Sequence, residues 1–249
     1  MAADVRTSFF SFFGTQLPEK RPADLAIEFS RDGGMNPVGD KMKLSSKGGT
    51  YKSHYTSHEA SIEFSVTEKD LDDLYRVFRD NRFDHIRISD AMEDDKEGEF
   101  IRISWGTTNY HLETSGTEIA NRWKKNWKNI VDALNAIVLR ETDKRKMDLK
   151  VMVDKQLAGR YVTVNISENA GNLAQIVPAD GLMTILKLLP GNYYFNIQAI
   201  KNYDPKKYQP WEEVRKNLID IRKSIDISKI KGVKIGMSDE TNLSFDVIP

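Results

Sequence analysis

The fold of this chain is decided by one stretch, Gly181-Leu182-Met183-Thr184-Ile185-Leu186-Lys187-Leu188-Leu189-Pro190-Gly191-Asn192-Tyr193-Tyr194-Phe195-Asn196-Ile197-Gln198-Ala199-Ile200. Apolar residues alternate with other residues on both sides of Pro190-Gly191, which is typical of two strands flanking a turn. Proline presets the first backbone angle of such a turn and glycine accepts the second. We therefore predict a β-hairpin, in which Tyr193, Phe195 and Ile197 face the core.

More strands are predicted on both sides of that hairpin. Alternating apolar residues indicate strands at 149–153, 161–166, 173–177, 233–236 and 241–247. Within the same region, apolar residues recur at helical spacing, which predicts a helix near 211–225 with the stripe Trp211, Val214, Leu218, Ile221 and Ile225. We expect a mostly-β sandwich domain at residues 146–249, with a helical insertion at about 202–229.

The motifs of this region resemble those of a known family. They are Val162-x-Val164-x-Ile166, Asn169-x-Gly171, Asp180-Gly181 and Leu188-Leu189-Pro190-Gly191-x-Tyr193-x-Phe195-x-Ile197. This order resembles the transthyretin-like or carboxypeptidase-regulatory-like β-sandwich, over about residues 148–200 and 228–249. The resemblance implies a non-catalytic accessory module of an extracytoplasmic protein. The insertion departs from the family pattern, so any specialised role of this half is expected there.

The N-terminal half shows a different pattern, with strands and helices mixed. Strands are predicted at 25–29, 41–45, 50–55 and 60–66, and Thr67 with Asp70 has the spacing of a capping box that opens a helix. The stripe of that helix is Leu71, Leu74, Tyr75 and Phe78. The motif of residues 66–74, with Phe83-Asp84, resembles a bacterial α+β domain of unknown function, to which no activity is assigned.

A second hairpin and a long helix complete the N-terminal half. Residues 100–105 and 109–114 flank Gly106-Thr107-Thr108, which predicts the hairpin. Ser115 and Glu118 have capping-box spacing and predict a helix at about 117–141. Trp123 and Trp127 lie on one side of this helix, and lysines 124, 125 and 128 lie on the other. This pattern allows two interpretations: a basic amphipathic surface element, or a core helix. We expect the core helix, because the apolar stripe continues over five turns at core spacing and acidic residues flank it.

These patterns divide the chain into three parts. Residues 1–24 form an arm and linker, residues 25–145 form an α+β domain with an antiparallel sheet and two helices, and residues 146–249 form the β-sandwich domain. Four phenylalanines at residues 9–13 are expected to pack on a domain surface. The alternatives are a contact with a partner or a membrane, or the remnant of an anchor.

Composition excludes several classes of protein. The chain has no cysteine, which removes disulfides, thiolate nucleophiles and cysteine-ligated metal. The 37 basic and 37 acidic residues cancel, so no overall field favours nucleic acid. No apolar run has the length of a membrane helix, and the N-terminus lacks the pattern of a signal peptide. A native leader could be absent from this sequence, and we expect a periplasmic or cell-surface location.

No motif with a defined chemistry is present. The histidines are His54, His58, His85 and His111, and none has the companions that a metal or catalytic motif requires. The acidic stretch at 90–99 does not match the spacing of a calcium loop, which favours a solvated hairpin turn over a weak cation site. We therefore assign no catalytic, cofactor-binding or metal-binding residue and expect no cofactor.

Three functional hypotheses follow from these observations. The leading one is a non-catalytic binding, adhesion or assembly protein of the bacterial cell envelope, with another protein or an envelope component as its partner. The second is a hydrolase or carbohydrate-acting enzyme whose site lies between the domains and uses carboxylates with His54, His58 or His111. The third is a cytoplasmic scaffold that binds a partner through the phenylalanine-rich arm.

Overall fold

The computed structural model describes residues 16–32, 38–55, 58–92, 98–167 and 171–249 of the 249-residue chain. The described chain is mostly β, with several sheets and few helices, which confirms the β-rich mixed architecture expected from the sequence. It divides into two compact units: the described residues through His54 together with Ser61–Lys144, and Tyr55–Ala60 together with Arg145–Pro249. The predicted phenylalanine-rich arm lies outside the described residues.

The described elements from β1 to α2 are four strands, a helix, four more strands and a second helix. They are β1 (Ala26–Asp32), β2 (Val38–Ser45), β3 (Gly48–Tyr55), β4 (His58–Phe64), α1 (Glu68–Asp80), β5 (Ile88–Met92), β6 (Gly98–Trp105), β7 (Thr108–Glu113), β8 (Thr117–Ile119) and α2 (Lys124–Asp143). Short 3-10 helices lie at Phe83–His85 and Asn121–Trp123. The main sheet of the first unit has the order β4-β3-β2-β1-β6-β7, and β5 pairs with β8 in a small separate sheet.

Alternation along the strands gives the main sheet of the first unit one apolar face. Ile27 and Phe29 of β1 lie opposite Ile103 and Ile101 of β6, and these four side chains are buried. Trp127 of α2 donates a hydrogen bond from Nε1 to Oε2 of Glu99, which shares that face of β6, over 2.5 Å. Helix α2 therefore covers the apolar face, and the predicted core role of its stripe is confirmed.

Helix α1 begins where the sequence predicts. The Thr67 side chain accepts a hydrogen bond from the Asp70 backbone N–H over 3.0 Å, and the Asp70 carboxylate accepts one from the Thr67 backbone N–H over 3.2 Å. This reciprocal pair is a complete capping box, which satisfies backbone donors that have no partner within the helix. The side chains of Leu71, Leu74, Tyr75 and Phe78 are buried, as their spacing predicts.

Helix α2 begins later than the sequence predicts. The capping box proposed for Ser115 and Glu118 is wrong, because Thr117–Ile119 is strand β8, whose Ile119 pairs with Ile88 of β5. The helix starts only at Lys124, after the 3-10 helix. The hairpin proposed for the acidic stretch is also wrong, since the strands on either side of it, β5 and β6, lie in different sheets. Residues 93–97 of that stretch lie outside the described residues.

The described part of the second unit contains strands in two sheets, one short α-helix, and 3-10 helices at Lys155–Leu157 and Ile227–Lys229. Its elements are β9 (Met147–Val153), β10 (Tyr161–Ile166), β11 (Gly171–Ile176), β12 (Leu182–Leu188), β13 (Asn192–Ile200), α3 (Trp211–Lys216), β14 (Leu218–Asp226), β15 (Gly232–Met237) and β16 (Leu243–Ile248). One sheet has the order β12-β9-β15-β16, and the other strands follow the order β11-β10-β13-β14. Strand β15 runs parallel to β9, whereas the neighbouring pairs β9–β12 and β15–β16 are antiparallel.

The two sheets of the second unit share one core. Buried side chains from β9 and β15 of one sheet pack in the same cluster as those from β10 and β13 of the other. Gly181 lies at the start of β12 with a φ of 88°, and a Cβ there would lie 2.7 Å from the carbonyl oxygen of Val153. The Asp180-Gly181 turn therefore requires glycine for both its backbone angle and its space.

The Pro190-Gly191 turn does not form the predicted hairpin. Strand β12 pairs with β9, whereas β13 pairs with β10 and β14, so the turn takes the chain from one sheet to the other. A turn motif reports that the chain reverses, but it does not report whether the two strands pair. Tyr193 is buried after the turn, and its hydroxyl donates a hydrogen bond to the Leu189 carbonyl oxygen over 2.9 Å.

The helix predicted at 211–225 is also wrong over most of its length. Helix α3 ends at Lys216, and Leu218–Asp226 is strand β14, paired along its whole length with β13. Ile219, Ile221 and Ile225 of β14 lie opposite Ala199, Ile197 and Tyr193, and pack against the shared core. These isoleucines have a period of two, and β-branched side chains favour strands, so sheet pairing overrides the helical spacing.

Candidate functional site: an exposed aromatic loop

The connection between β13 and β14, residues 201–217, places two large aromatic side chains in solvent. We call this segment the aromatic loop. Tyr208 is 94% exposed and Trp211 is 62% exposed, the highest values among the large apolar side chains of the described residues. Single exposed apolar residues are common on protein surfaces, but two highly exposed aromatic residues within one short loop require an explanation.

Hydrogen bonds hold the base of the aromatic loop. The Lys201 backbone N–H donates to the Asn217 carbonyl oxygen over 3.2 Å, which closes the loop where β13 ends and β14 begins. Asn202 adopts a φ of 58°, in the left-handed region that asparagine tolerates better than most residues. The Asn202 carbonyl oxygen accepts a hydrogen bond from Nε2 of Gln209 over 3.3 Å, which links the start of the loop to its centre.

Packing also anchors the aromatic loop to the second unit. The ring of Tyr203 lies 4.9 Å from the ring of Tyr161 on β10, measured between centroids. At the other end, Val214 is the buried residue of α3. Two apolar anchors therefore flank the exposed pair Tyr208 and Trp211, and these two aromatic residues stand on a backbone that is fixed on both sides.

A turn at Asp204 shapes the segment that precedes Tyr208. The Asp204 carboxylate accepts a hydrogen bond from the Lys206 backbone N–H over 3.0 Å, and the Lys207 backbone N–H donates to the Asp204 carbonyl oxygen over 3.1 Å. The hydrogen bond from Lys206 is the main cause that lowers the pKa of Asp204; desolvation opposes it, and the Lys207 ammonium reinforces it. The carboxylate is therefore charged at neutral pH and keeps the turn closed.

Basic residues outnumber acidic ones in the aromatic loop. It contains three acidic residues, Asp204, Glu212 and Glu213, and five basic residues, Lys201, Lys206, Lys207, Arg215 and Lys216. Glu212 and Glu213 lie in the first turn of α3 and Arg215 and Lys216 in its last turn, an order that complements the helix dipole. Lys206 and Lys207 directly precede Tyr208, so the loop presents aromatic surface beside positive charge.

The structure describes two of the four histidine side chains. His111 lies on the exposed face of β7, with its ring centroid 6.2 Å from that of Phe100. His85 is largely buried, and its Nε2 lies 3.6 Å from Oδ2 of Asp84. The side chains of His54 and His58 lie outside the described residues. The hypothesis of a site that uses His54, His58 or His111 therefore stays a hypothesis.

Two buried carboxylates of the first unit lie within ion-pair networks. Glu28 pairs with Lys41 and Arg102, and Asp40 accepts a hydrogen bond from Nε of Arg31 over 3.0 Å. Desolvation acts to raise the pKa of Glu28, but the hydrogen bond from Lys41 and the charges of Arg102 and Lys41 together lower it. A general acid needs a raised pKa, so Glu28 is suited to stabilising the sheet rather than to proton transfer.

Neither a cluster of metal-ligating side chains nor a membrane-spanning helix is found in the part of the chain that the structure describes. Within the described ranges, no group of three or more histidine, aspartate or glutamate side chains could hold a metal ion. The longest described helix, α2, and the shorter ones lack the length and apolarity needed to cross a bilayer.

Comparison with known proteins adds no family to these observations. No protein-family model matches the chain, and no curated protein matches it. The aromatic loop therefore has to be interpreted from its own residues.

The sequence indicates residues 202–229 as the departure from the family pattern, but its helical spacing places Trp211 on the apolar stripe of a helix and does not distinguish Tyr208. A usable signal was present, because Pro205 and Pro210 bracket Tyr208 and the residue before a proline is biased away from helix. That bias favours a non-helical loop before Trp211.

Proposed function

We propose that the protein is a non-catalytic binding and assembly protein of the bacterial cell envelope, and that its aromatic loop binds a partner protein. The observation that carries the proposal is the exposure of Tyr208 and Trp211 on a loop fixed at both ends. If these aromatic side chains lay on a flexible segment, the conformational entropy lost on ordering that segment would offset much of their binding energy. Here the hydrogen bonds and packing of the loop order the segment before a partner binds.

The residue types of the loop favour a protein as its partner. Tryptophan, tyrosine and arginine dominate the energetics of protein interfaces. The two aromatic side chains do so because they bury a large area with few rotatable bonds. At about 25 cal/mol per Å² of apolar surface, removing an aromatic side chain from water contributes several kcal/mol. Lys206 and Lys207 beside Tyr208 favour a partner surface that carries acidic residues.

The proposal includes the identity of the two parts of the chain. Residues 25–145 are an α+β domain, and residues 146–249 are a transthyretin-like β-sandwich that carries the aromatic loop. Support for the sandwich comes from two sheets that share one core and from the residues at the Pro190-Gly191 turn. The envelope location rests on the resemblance to accessory modules of extracytoplasmic proteins.

Site-specific photo-crosslinking tests the proposed surface. A photoreactive amino acid replaces Tyr208 in the full chain, and a matched variant carries it at Ile176, which is 51% exposed on β11 of the same unit. We expect one envelope protein to be cross-linked from position 208 and not from position 176. Equal cross-linking from both positions would overturn the assignment of the aromatic loop as the binding surface. Cross-linking to a glycan alone would mean that the partner is a glycan rather than a protein.

Binding measurements with the identified protein complete the test. Calorimetry with the purified partner should show that Trp211→Ala weakens binding by at least about tenfold, as expected for an interface anchor. Ile176→Ala should leave binding unchanged. If both variants bind like the unmodified chain, the aromatic loop is not the contact surface. Fractionation of the native host tests the location separately, since a strictly cytosolic protein would contradict the envelope assignment while leaving the binding result intact.

A further inference from the structure

Strand β12 forms an edge of its sheet and exposes apolar side chains. It pairs with β9 on one side, from Leu182 opposite Val153 to Leu188 opposite Met147. Among the described residues, no strand lies on its other side. Met183 is 60% exposed and Ile185 is 48% exposed, and both lie on the same face of the strand. An edge of this kind offers free backbone donors and acceptors together with apolar surface.

The edge at β14 differs from the edge at β12 in its charge. Strand β14 carries four charged residues, Asp220, Arg222, Lys223 and Asp226, along its nine positions. Charged side chains on edge strands discourage pairing with another chain. Strand β12 carries one charge, Lys187, near its C-terminal end. Five consecutive residues of β12, 182–186, are therefore open to pairing without any charge among them.

The sequence of β12 is complementary to itself in the antiparallel direction. In an antiparallel ladder, the two residues of a pair both point their backbone N–H and C=O groups towards the partner strand, or both point them away from it. Two copies of one strand can therefore pair only in registers in which one residue lies opposite its own copy. Centred on Thr184, the pairing places Met183 opposite Ile185 and Leu182 opposite Leu186, each twice. Both exposed apolar side chains are then covered by each other, and the two half-buried leucines extend the contact on the inner face.

The neighbouring registers are less favourable. Centring the pair on Ile185 places Lys187 opposite Met183, which sets a charge against an apolar side chain. Centring it on Met183 places Ile185 opposite Gly181, which has no side chain to cover it. In the register centred on Thr184, Lys187 lies opposite Gly181, so its charge faces no apolar side chain directly across the pair.

We propose that the protein forms a symmetric dimer in which β12 pairs with β12 of a second copy around Thr184. This interaction uses a different surface from the aromatic loop, so neither proposal depends on the other. A ladder of five residue pairs buries far less than the ~1,600 Å² of a standard interface. The dimer is therefore a weak one, with a dissociation constant on the order of micromolar.

Sedimentation velocity of the full chain tests the dimer. Over a range from about 1 μM to about 300 μM, which brackets the expected affinity, we expect a reversible shift from monomer to dimer. Ile185→Lys should weaken dimerisation by at least about tenfold, because it places a charge at the centre of the edge. Ile176→Lys is the matched control, since it makes the same change at an exposed isoleucine on edge strand β11. Circular dichroism checks that both variants fold.

A mixing experiment tests the register. Met183→Glu alone and Ile185→Lys alone should each dimerise at least about tenfold more weakly than the unmodified chain, whereas an equimolar mixture should form a heterodimer at concentrations where neither variant dimerises alone. In the register centred on Thr184, the mixture sets the introduced glutamate of one chain opposite the introduced lysine of the other. The second pair of the same register keeps the original Met183 opposite the original Ile185. A chain that stays monomeric at every concentration, equal weakening by Ile176→Lys, or a mixture that fails to associate would each overturn the proposal.

Discussion

Two segments of the chain carry apolar residues at helical spacing, and only one of them is a helix. Residues 124–143 form α2, in which Trp127 is 6% exposed and hydrogen-bonded to Glu99. Residues 211–225 contain a helix of six residues followed by β14, and Trp211 is 62% exposed. The same periodicity thus places one tryptophan in the core and the other in solvent.

The difference lies in what each segment meets. Helix α2 contacts the apolar face of a sheet through Trp127, and the apolar stripe of the helix is buried. Residues 218–226 run alongside β13, whose free edge supplies backbone partners over nine residues. Pairing with that edge satisfies the backbone and covers Ile219, Ile221 and Ile225 together, which a helix could not do at this position. Helical spacing therefore predicts a helix only where no strand edge competes for the segment.

The largest expected difference is between truncations of the two tryptophans. Trp127→Ala should destabilise the protein by about 3–5 kcal/mol, because it leaves a cavity beside Phe83 and removes the donor to Glu99. Trp211→Ala should change stability by less than about 0.5 kcal/mol, because its ring lies in solvent. Urea denaturation followed by far-UV circular dichroism measures both. Similar losses for the two variants would contradict the assignment of Trp211 to a binding surface.

The strand at 218–226 gives the next largest effect. Ile219 lies outside the helical stripe but on the core-facing side of β14, where it packs against the shared core. Ile219→Ala should destabilise the protein by about 2 kcal/mol, the lower end for this truncation, because the side chain is partly buried. Ser224→Ala, at an exposed position of the same strand, is the control and should be neutral within about 0.5 kcal/mol. A neutral Ile219→Ala would restore the helical interpretation.

The sequence predicted elements better than it predicted their partners. Strand alternation located β10, β13 and the β6–β7 pair closely, because side-chain direction in a strand depends on local burial. The Pro190-Gly191 hairpin failed, because pairing depends on β9, β10 and β14, which are distant in sequence from the turn. The exposure of Tyr208 and Trp211 could not be predicted for the same reason, because it follows from where β14 pairs, which the loop sequence does not state.

The Asp70 carboxylate in the first turn of α1 provides a pH-dependent test of a helix that begins where the sequence predicts. The hydrogen bond from Arg140 is the main cause that lowers the pKa of Asp70 to about 2 from its usual 3.8. Because the pKa in the folded state lies below the unfolded value, this stability is fully present above about pH 4 and is lost as the pH falls towards 2. Asp70→Asn should cost about 1–2 kcal/mol at pH 7, after allowance for solvent screening, and progressively less as the pH falls through about 2.

Urea denaturation at several pH values measures this dependence. The unmodified chain should lose stability between pH 4 and pH 2 more steeply than Asp70→Asn does. Asp73→Asn is the control on the same helix, since the exposed Asp73 pairs only with the neighbouring side chains of Lys69 and Arg76. Equal slopes for the unmodified chain and Asp70→Asn would mean that the contact between Asp70 and Arg140 does not form in solution.

The smallest expected difference in stability is between substitutions at Thr67 and at Ser115, the two positions where the sequence predicts a capping box. Thr67→Ala should destabilise the protein by about 1 kcal/mol, because it removes the acceptor for the Asp70 backbone N–H at the start of α1. Ser115→Ala should be neutral within about 0.5 kcal/mol, because Ser115 is exposed and precedes strand β8 rather than a helix. Thermal denaturation at neutral pH measures both. A loss of about 1 kcal/mol at Ser115 would show that a helix begins there. Such a helix would replace β8 and its pairing with β5. The local capping signal at Ser115 would then have predicted the structure of this segment correctly, without regard to its distant partner β5.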